Sequence, residues 1–455
     1  MSITNKSERM GEEKIAPLLI KMSIPAIIGM VIQSLYNIID SIYIGKVSTE
    51  ALSALSLAFP IQIFLISIAV GTGVGTSSVI SRFLGAGKKD RAENVAEHVF
   101  FISIIYGILV FFIGMFFSDQ IVHLFTSDPQ LIALAGRYIK IILVGSLAIF
   151  IPAIFNYILR GEGNTVAPMI TMLIGAILNI ILDPFFIFGI GFFPELGIEG
   201  AAYATVIARA IGGVFITSVL LSEKNELQLT LKKFKFSWQI IKEIYSVGIP
   251  AMLNRFLFSV SLVIINRILG SFNTTAIAVM GVVFRLQSFF LMSVFGLNQG
   301  YLPIVGYNYG HKNPRRMQKT ILLGGSFALG FGTLAFVLFQ LLPGPLLKLF
   351  NQDPEFLKIG IGALGKVSFA YLFMVLNIVG TATFQAMGKG GASFIVTFSR
   401  QAVLLLPGMY ILGQLFGLDY TWLAFPLAEF IAFIFVASWL FLTVKKESNQ
   451  MLENS

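Results

Sequence analysis

Two carboxylates stand inside long apolar runs, and each has an amide one helical turn away. Asp40 closes the stretch Tyr36-Asn37-Ile38-Ile39-Asp40, so Asn37 and Asp40 share a helix face. Asp183 lies in Leu178-Asn179-Ile180-Ile181-Leu182-Asp183-Pro184, where Asn179 and Asp183 again share a face. Pro184 has no N–H for the carbonyl of Ile180, which frees one more oxygen a turn from Asn179. A carboxylate at the centre of a bilayer costs about 2.5–3.5 kcal/mol on insertion scales, so it needs a task or a partner. Two carboxylates, amide oxygens and a spare carbonyl form a hard-oxygen set, suited to Na⁺ or H⁺ rather than a soft metal. Asn156 and Thr205, in neighbouring apolar runs, either add oxygens to that set or act as hydrogen-bond glue between helices. Arg209 stands midway along its own run and is placed to pair with one of the acids.

The later part of the chain carries a different set. It holds Arg255, Arg267, Arg285 and Arg400, with Glu429 deep in the last apolar run. Two readings stay open. Glu429 pairs with an arginine, Arg400 first, and fixes helix packing; or it forms a second site for a proton or a cationic substrate. Tyr36, Asn37 and Gln299 are the candidates for lining a substrate cavity.

The elements that position these residues follow from hydropathy. The chain has 455 residues, 56% hydrophobic and 12% charged, with a mean hydropathy of +0.84. A soluble domain carries about twice that share of charge. Apolar runs bounded by charge, Gly or Pro lie at roughly 16–44, 52–84, 92–118, 131–159, 165–191, 198–222, 239–269, 276–309, 317–342, 355–386, 391–415 and 420–444. The expectation is an all-α integral membrane protein with twelve transmembrane helices. Prolines recur inside the runs, at 25, 60, 152, 184, 250, 303, 407 and 426, as bend points or as tolerated kinks.

Charge sets the topology. Lys88, Lys89 and Arg91, then Lys232, Lys233, Lys235 and Lys242, then Lys312, Arg315, Arg316 and Lys319 fall on one set of loops. Both termini join that side through Lys6, Arg9, Lys14, Lys445 and Lys446. The opposite loops carry Lys46, Lys348 and Lys358 among acids such as Asp119, Asp128, Glu195, Glu199, Asp353, Glu355 and Asp419. The positive-inside rule then puts both termini in the cytoplasm of a plasma or inner membrane. The net charge of +9 is thereby explained without nucleic acid.

The chain also repeats. Setting Pro25 on Pro250 gives an offset of 225 residues, and Ile24-Pro25-Ala26 then meets Ile249-Pro250-Ala251 without a gap. The same offset carries Gly45 onto Gly270, Gln62 onto Gln287, Gly71 and Gly75 onto Gly296 and Gly300, Gly85 onto Gly310, and Asp128-Pro129 onto Asp353-Pro354. Six spans per half is an even number, so the expected arrangement is two six-helix lobes related by a parallel pseudo-two-fold along the membrane normal. The expected division is residues 1–222 for the first lobe with the cation site, 223–238 for a cytoplasmic linker, and 239–455 for the second lobe.

Other classes find no support. There is no cysteine for disulfides or thiolate metal sites, and His98, His123 and His311 have no ligand spacing. No phosphate loop of the type G-x-x-x-x-G-K-[ST] and no hydrolase motif is present, which argues against an ATP-driven pump and against an enzyme.

At these residues the sequence resembles the multidrug and toxic compound extrusion (MATE) transporters. The first span, with Ile24-Pro25, Asn37-x-x-Asp40 and Gly45, is similar to the family's first helix. Leu159-Arg160-Gly161-Glu162-Gly163-Asn164 is similar to its turn between helices four and five, and Asn179-x-x-x-Asp183-Pro184 to its fifth helix. Gly200-Ala201-Ala202 with Ala204-Thr205 is similar to its sixth. Gly296-Leu297-Asn298-Gln299-Gly300-Tyr301-Leu302-Pro303 and Gly306-Tyr307-Asn308-Tyr309-Gly310 are similar to the end of its eighth. The resemblance implies secondary active export of small, mostly cationic and lipophilic organic compounds by alternating access against inward Na⁺ or H⁺. No cofactor is implied, the bilayer is the only other partner, and a monomer suffices. It implies Asp40, Asn179, Asp183 and Thr205 as the first-lobe cation site. A family branch with acids in helices seven and ten is not matched here. The alternative is a lipid-linked precursor flippase of related architecture, which Arg255, Arg267 and Arg285 leave open.

Overall fold

The computed structural model describes residues 7–191, 193–230 and 234–453. Lys6, Lys232 and Lys233, counted above on the basic side, lie outside the described residues. The described chain is helical from end to end. In order the helices are α1 Glu8–Glu12, α2 Ile15–Val47, α3 Thr49–Gly85, α4 Lys89–His123, α5 Pro129–Val144, α6 Ser146–Gly161, α7 Val166–Phe188, α8 Ile198–Leu220 and α9 Trp238–Gly270. There follow α10 Thr274–Gly310, α11 Pro314–Leu341, α12 Pro343–Lys348, α13 Pro354–Val367, α14 Ala370–Ala386, α15 Gly390–Phe398, α16 Leu406–Phe416, α17 Leu418–Thr421 and α18 Ala424–Glu453. A π-helical segment, Ser399–Leu405, joins α15 to α16.

Among the described residues, ten helices are long and apolar enough to cross a bilayer, and two bent pairs bring the number to twelve. The fourth span bends by 52° between α5 and α6, the tenth by 49° between α13 and α14. The sequence suggested single helices with prolines as the candidate bend points. Pro25, Pro60, Pro184, Pro250 and Pro303 instead lie inside unbroken helices. The bends sit elsewhere, for a local reason. The first falls at the pair Gly145-Ser146, whose serine gives its hydroxyl to the Gly107 carbonyl of α4 at 2.7 Å. At the second, the Gln340 amide enters the helix ladder, donating to the Gly365 carbonyl at 2.7 Å and to Ser368 Oγ at 3.0 Å.

The repeat shows in local chemistry as well as in helix order. Ser48 caps α3 by accepting from the Ala51 N–H, and Asn273, one offset later, caps α10 by accepting from Thr275. Asp128 and Asp353 cap α5 and α13 in the same way. The contacts between the lobes are themselves two-fold. A Cβ on Gly71 would strike Met252 of α9, and one on Gly296 would strike Ile27 of α2, the partner at the same offset. Gly75 meets Ile244 and Gly248, while Gly300 meets Met22 and Ser23. Gly85 abuts the Tyr307 carbonyl and Gly310 abuts the Arg82 carbonyl, so α3 and α10 cross on the pseudo-two-fold itself.

All these contacts lie toward the end that bears the termini. There Asn308 gives its amide to the Met10 carbonyl at 3.0 Å, and Arg316 donates to the carbonyls of Met10 and Glu13. Gln318 donates to Ser448 of α18. Ser78 of α3 donates to the Gln385 carbonyl at 2.5 Å, and Arg160 Nη1 to Gln299 Oε1 at 2.9 Å, joining lobe to lobe. The described residues just before α9 meet α4, where the Ser237 N–H donates to His98 Nε2 at 2.8 Å. One apolar core runs through the first lobe and this closed end; a second fills the outer part of the second lobe.

Candidate cation site in the first lobe

Helices α2, α7 and α8 bring the polar groups together. Asp183 is fully buried and Asn179 nearly so, because α7 packs its polar stripe against α2 and α8 while Ile177 and Ile181 stay exposed. Asn179 Nδ2 donates to Asp183 Oδ1 at 3.0 Å and to Thr205 Oγ1 at 3.3 Å. Asp40 of α2 and Asp183 of α7 lie close to each other across the α2–α7 contact. Two ionised carboxylates so placed repel each other, so a proton or a cation between them would lower the cost of the pairing.

Several acceptors in this region have no partner. Asp40 Oδ1, Asn179 Oδ1 and Asp183 Oδ2 are buried without a hydrogen bond, as is Asn156 Oδ1 on α6. An unmet buried acceptor is costly, and a set of them is the donor chemistry that a small hard cation satisfies. No group of three or more His, Cys, Asp or Glu with metal-holding spacing exists among the described residues. The donors in the set are oxygens, the chemistry of a hard cation or a proton.

Arg209 does not neutralise the pair. Its Nη2 donates to the Tyr36 hydroxyl at 3.3 Å, and it makes no ion pair with either carboxylate. Beside it Gln62 donates to Tyr138 at 2.9 Å. A small crevice lined by Gln62, Ile142, Thr205 and Arg209 opens next to the cluster.

The sequence candidates thus separate. Asp40, Asn179, Asp183 and Thr205 are brought into one network. Asn156 is buried nearby but has no hydrogen bond to any of them. Tyr36 is engaged with Arg209, Asn37 is exposed, and Gln299 holds Arg160 at the closed end between the lobes. Gln62 and Tyr138 were missed as neighbours. The lone glutamine in an apolar helix, recurring as Gln287 in the repeat, was the available signal. In the second lobe Arg400 Nε lies 3.5 Å from Glu429 Oε1, and Asn377 Nδ2 donates to Glu429 Oε2 at 2.8 Å.

Two six-helix lobes joined at one end, with a buried acidic pair inside one of them, define a multi-pass membrane transport protein. The chain belongs to the MatE family, whose model matches residues 25–185 and 250–411, two segments set at the repeat offset. It is 30% identical over 411 residues to the multidrug export protein MepA of Staphylococcus haemolyticus, covering 90% of this chain and 89% of that one. It is 27% identical to a FAD transporter of Shewanella oneidensis, covering 92% of both. Among solved structures, the outward-facing conformation of a multidrug resistance MATE family transporter superposes with a TM-score of 0.92 at 28% identity, covering 98% of this chain and 99% of that one.

Proposed function

We propose that the protein is a secondary active exporter that moves small lipophilic organic compounds outward in exchange for inward Na⁺ or H⁺. The carrying observation is the Asp40–Asp183 pair, two neighbouring carboxylates whose buried oxygens Asp40 Oδ1 and Asp183 Oδ2 have no hydrogen-bond partner. A proton and a metal cation compete for the same place, so either gradient has somewhere to act.

Coupling requires the cation to bind one lobe arrangement better than another. Helix α2 supplies the link. It carries Asp40 toward α7, while Ser23 on the same helix donates to the Leu297 carbonyl of α10 at 3.3 Å. Seventeen residues of helix, about 25 Å, separate the cation site from that contact between the lobes. A cation that rotates or bends α2 at one end therefore acts on the closed end at the other.

The basic loops support placing both termini in the cytoplasm of a plasma or inner membrane. The closed end is then the inner one, and a substrate leaves to the outside. Both clusters are complete within one chain, which supports function as a monomer. The chemistry needs no cofactor and makes no covalent step, so it is not that of an enzyme. A flippase of lipid-linked precursors is the second reading, favoured by the exposed Arg255, Arg267 and Arg285.

The test is dye efflux from energised vesicles under separately imposed Na⁺ and proton gradients. Wild type should respond to one of them. Asp40→Asn should lose roughly a hundredfold of the gradient-driven rate while remaining folded. Equal driven efflux from mutant and wild type would remove the site.

A further inference from the structure

We infer that the cleft between the lobes is built for amphipathic organic anions, held by an arginine ladder on the second lobe and an apolar wall on the first. The inference rests on the export reading and names the charge of its substrates.

Helical register shows which way the arginines face. On α9 the residue packed against the first lobe is Met252, opposite Gly71. Proceeding from there toward the end remote from the termini, Arg255, Ser259 and Asn266 follow at spacings that keep one face, and Arg267 comes one turn after exposed Val263 on the same side. Two other faces of α9 are already assigned. Ser261 and Ile265 are buried in the second lobe, and Leu253, Leu257, Val260 and Ile264 form an unbroken apolar stripe suited to lipid. On α10 the residue packed against α2 is Gly296, and Phe289 and Arg285 lie on its face two and three turns further out.

Arg255, Arg267 and Arg285 are exposed, and none forms an ion pair within the described residues. Helical rise places them about 22, 5 and 16 Å from the remote ends of their helices. Unpaired guanidinium groups at the depth of Arg255 and Arg285 belong in water rather than in lipid, and the face turned toward the other lobe is the one that offers it.

The facing wall is different. At the repeat offset the three arginines correspond to Met30, Ile42 and Pro60. The outer part of α2 presents exposed Leu35, Ile38 and Ile42, and α3 presents Phe64. No acid lies on either face between the glycine contacts and the mouth until Glu50, in the first turn of α3. Asp40 points to the opposite side of α2, toward Asp183. Cation-seeking chemistry is thus confined to the interior of the first lobe, while the cleft offers fixed positive charge opposite an apolar surface. An apolar or aromatic body bearing a carboxylate or phosphate matches both walls, and an organic cation meets repulsion from one of them. A free anion and an anionic lipid share that chemistry.

The measurement compares carboxyfluorescein with ethidium, in wild type and in R255Q/R285Q, whose changed side chains have no partner to lose. Binding to purified protein in detergent is read by fluorescence anisotropy, and gradient-driven movement is read in vesicles. Carboxyfluorescein should bind wild type more tightly than ethidium does, and the double substitution should weaken it by about tenfold per arginine. Ethidium affinity should hold or improve in the variant. Arginine-dependent movement of a fluorescent phosphatidic acid across the bilayer, without carboxyfluorescein transport, would assign the same anion chemistry to a lipid source. Preferred binding of ethidium by wild type, or anion binding indifferent to the substitutions, would overturn the inference. Anion binding without gradient-driven movement would leave the inference standing and fail the coupled-export reading instead.

Discussion

The two lobes solve the problem of charge inside a membrane in opposite ways. In the second, one acid meets one arginine. Glu429 uses one oxygen on Arg400 and the other on the Asn377 amide, and the three residues come from the tenth, eleventh and twelfth spans. In the first, two acids meet each other, the nearest arginine turns to a tyrosine hydroxyl, and carboxylate and amide oxygens are left without partners. Both clusters are buried in lobes of the same plan, so the plan did not decide the difference. An acid paired with an arginine ties its helices together. Two neighbouring acids with unmet oxygens offer a place for a proton or a cation, which is the role proposed for them. The π-helical turn that carries Arg400 brings it to Glu429, a local distortion with a packing result.

Single substitutions can break this contrast. The largest effect is expected from Glu429→Ala, which strands Arg400 in the second lobe and should cost about 3–5 kcal/mol of stability. Thermal unfolding in detergent would show it, while the protein that remains folded keeps its gradient dependence. Asp183→Asn should do the reverse. It removes one of two facing acids, so stability should stay within about 1 kcal/mol of wild type or rise, while driven efflux disappears. If Asp183→Asn unfolds the protein and Glu429→Ala uncouples it, the roles of the lobes are exchanged.

A smaller effect tests whether the lobes act as equals where they meet. Gly75→Val and Gly300→Val occupy matching places on the two-fold interface, and each should cost about 1–3 kcal/mol by overpacking. Both should loosen the closed end. The chain lacks cysteine, so Ser81→Cys gives a single reporter, and its labelling by a maleimide should rise in both variants. A rise in only one would show that the interface is not functionally symmetric. The smallest change is expected from Arg209→Gln. Removing a positive charge near Asp40 should lower the ion concentration for half-maximal efflux by about tenfold, and an unchanged value would show that Arg209 is not felt at the site.

Much of this was legible in the sequence because membrane insertion imposes simple rules. Twelve apolar runs, the 225-residue offset and the basic loops follow from hydropathy and composition alone. The acids Asp40 and Asp183 announced themselves because charge in an apolar run is rare. What proline spacing could not show was where the helices bend. The first bend falls at the local pair Gly145-Ser146, one of many glycine positions in the runs, and the second depends on Gln340 reaching in from a neighbouring helix. Gln299 reads as a polar cavity residue until its distant partner, Arg160, is known.

The sequence by itself determined which residues lie in the membrane, how the halves correspond, and that acids in the first half have no basic counterpart at the matching register. The tertiary structure decided which acids come together, which arginine is engaged with a tyrosine, and where the fourth and tenth spans bend. The reason is physical. Insertion into a bilayer is a property of one helix at a time, whereas hydrogen-bond partners and cleft exposure depend on the rotation of each helix against others far away in the chain.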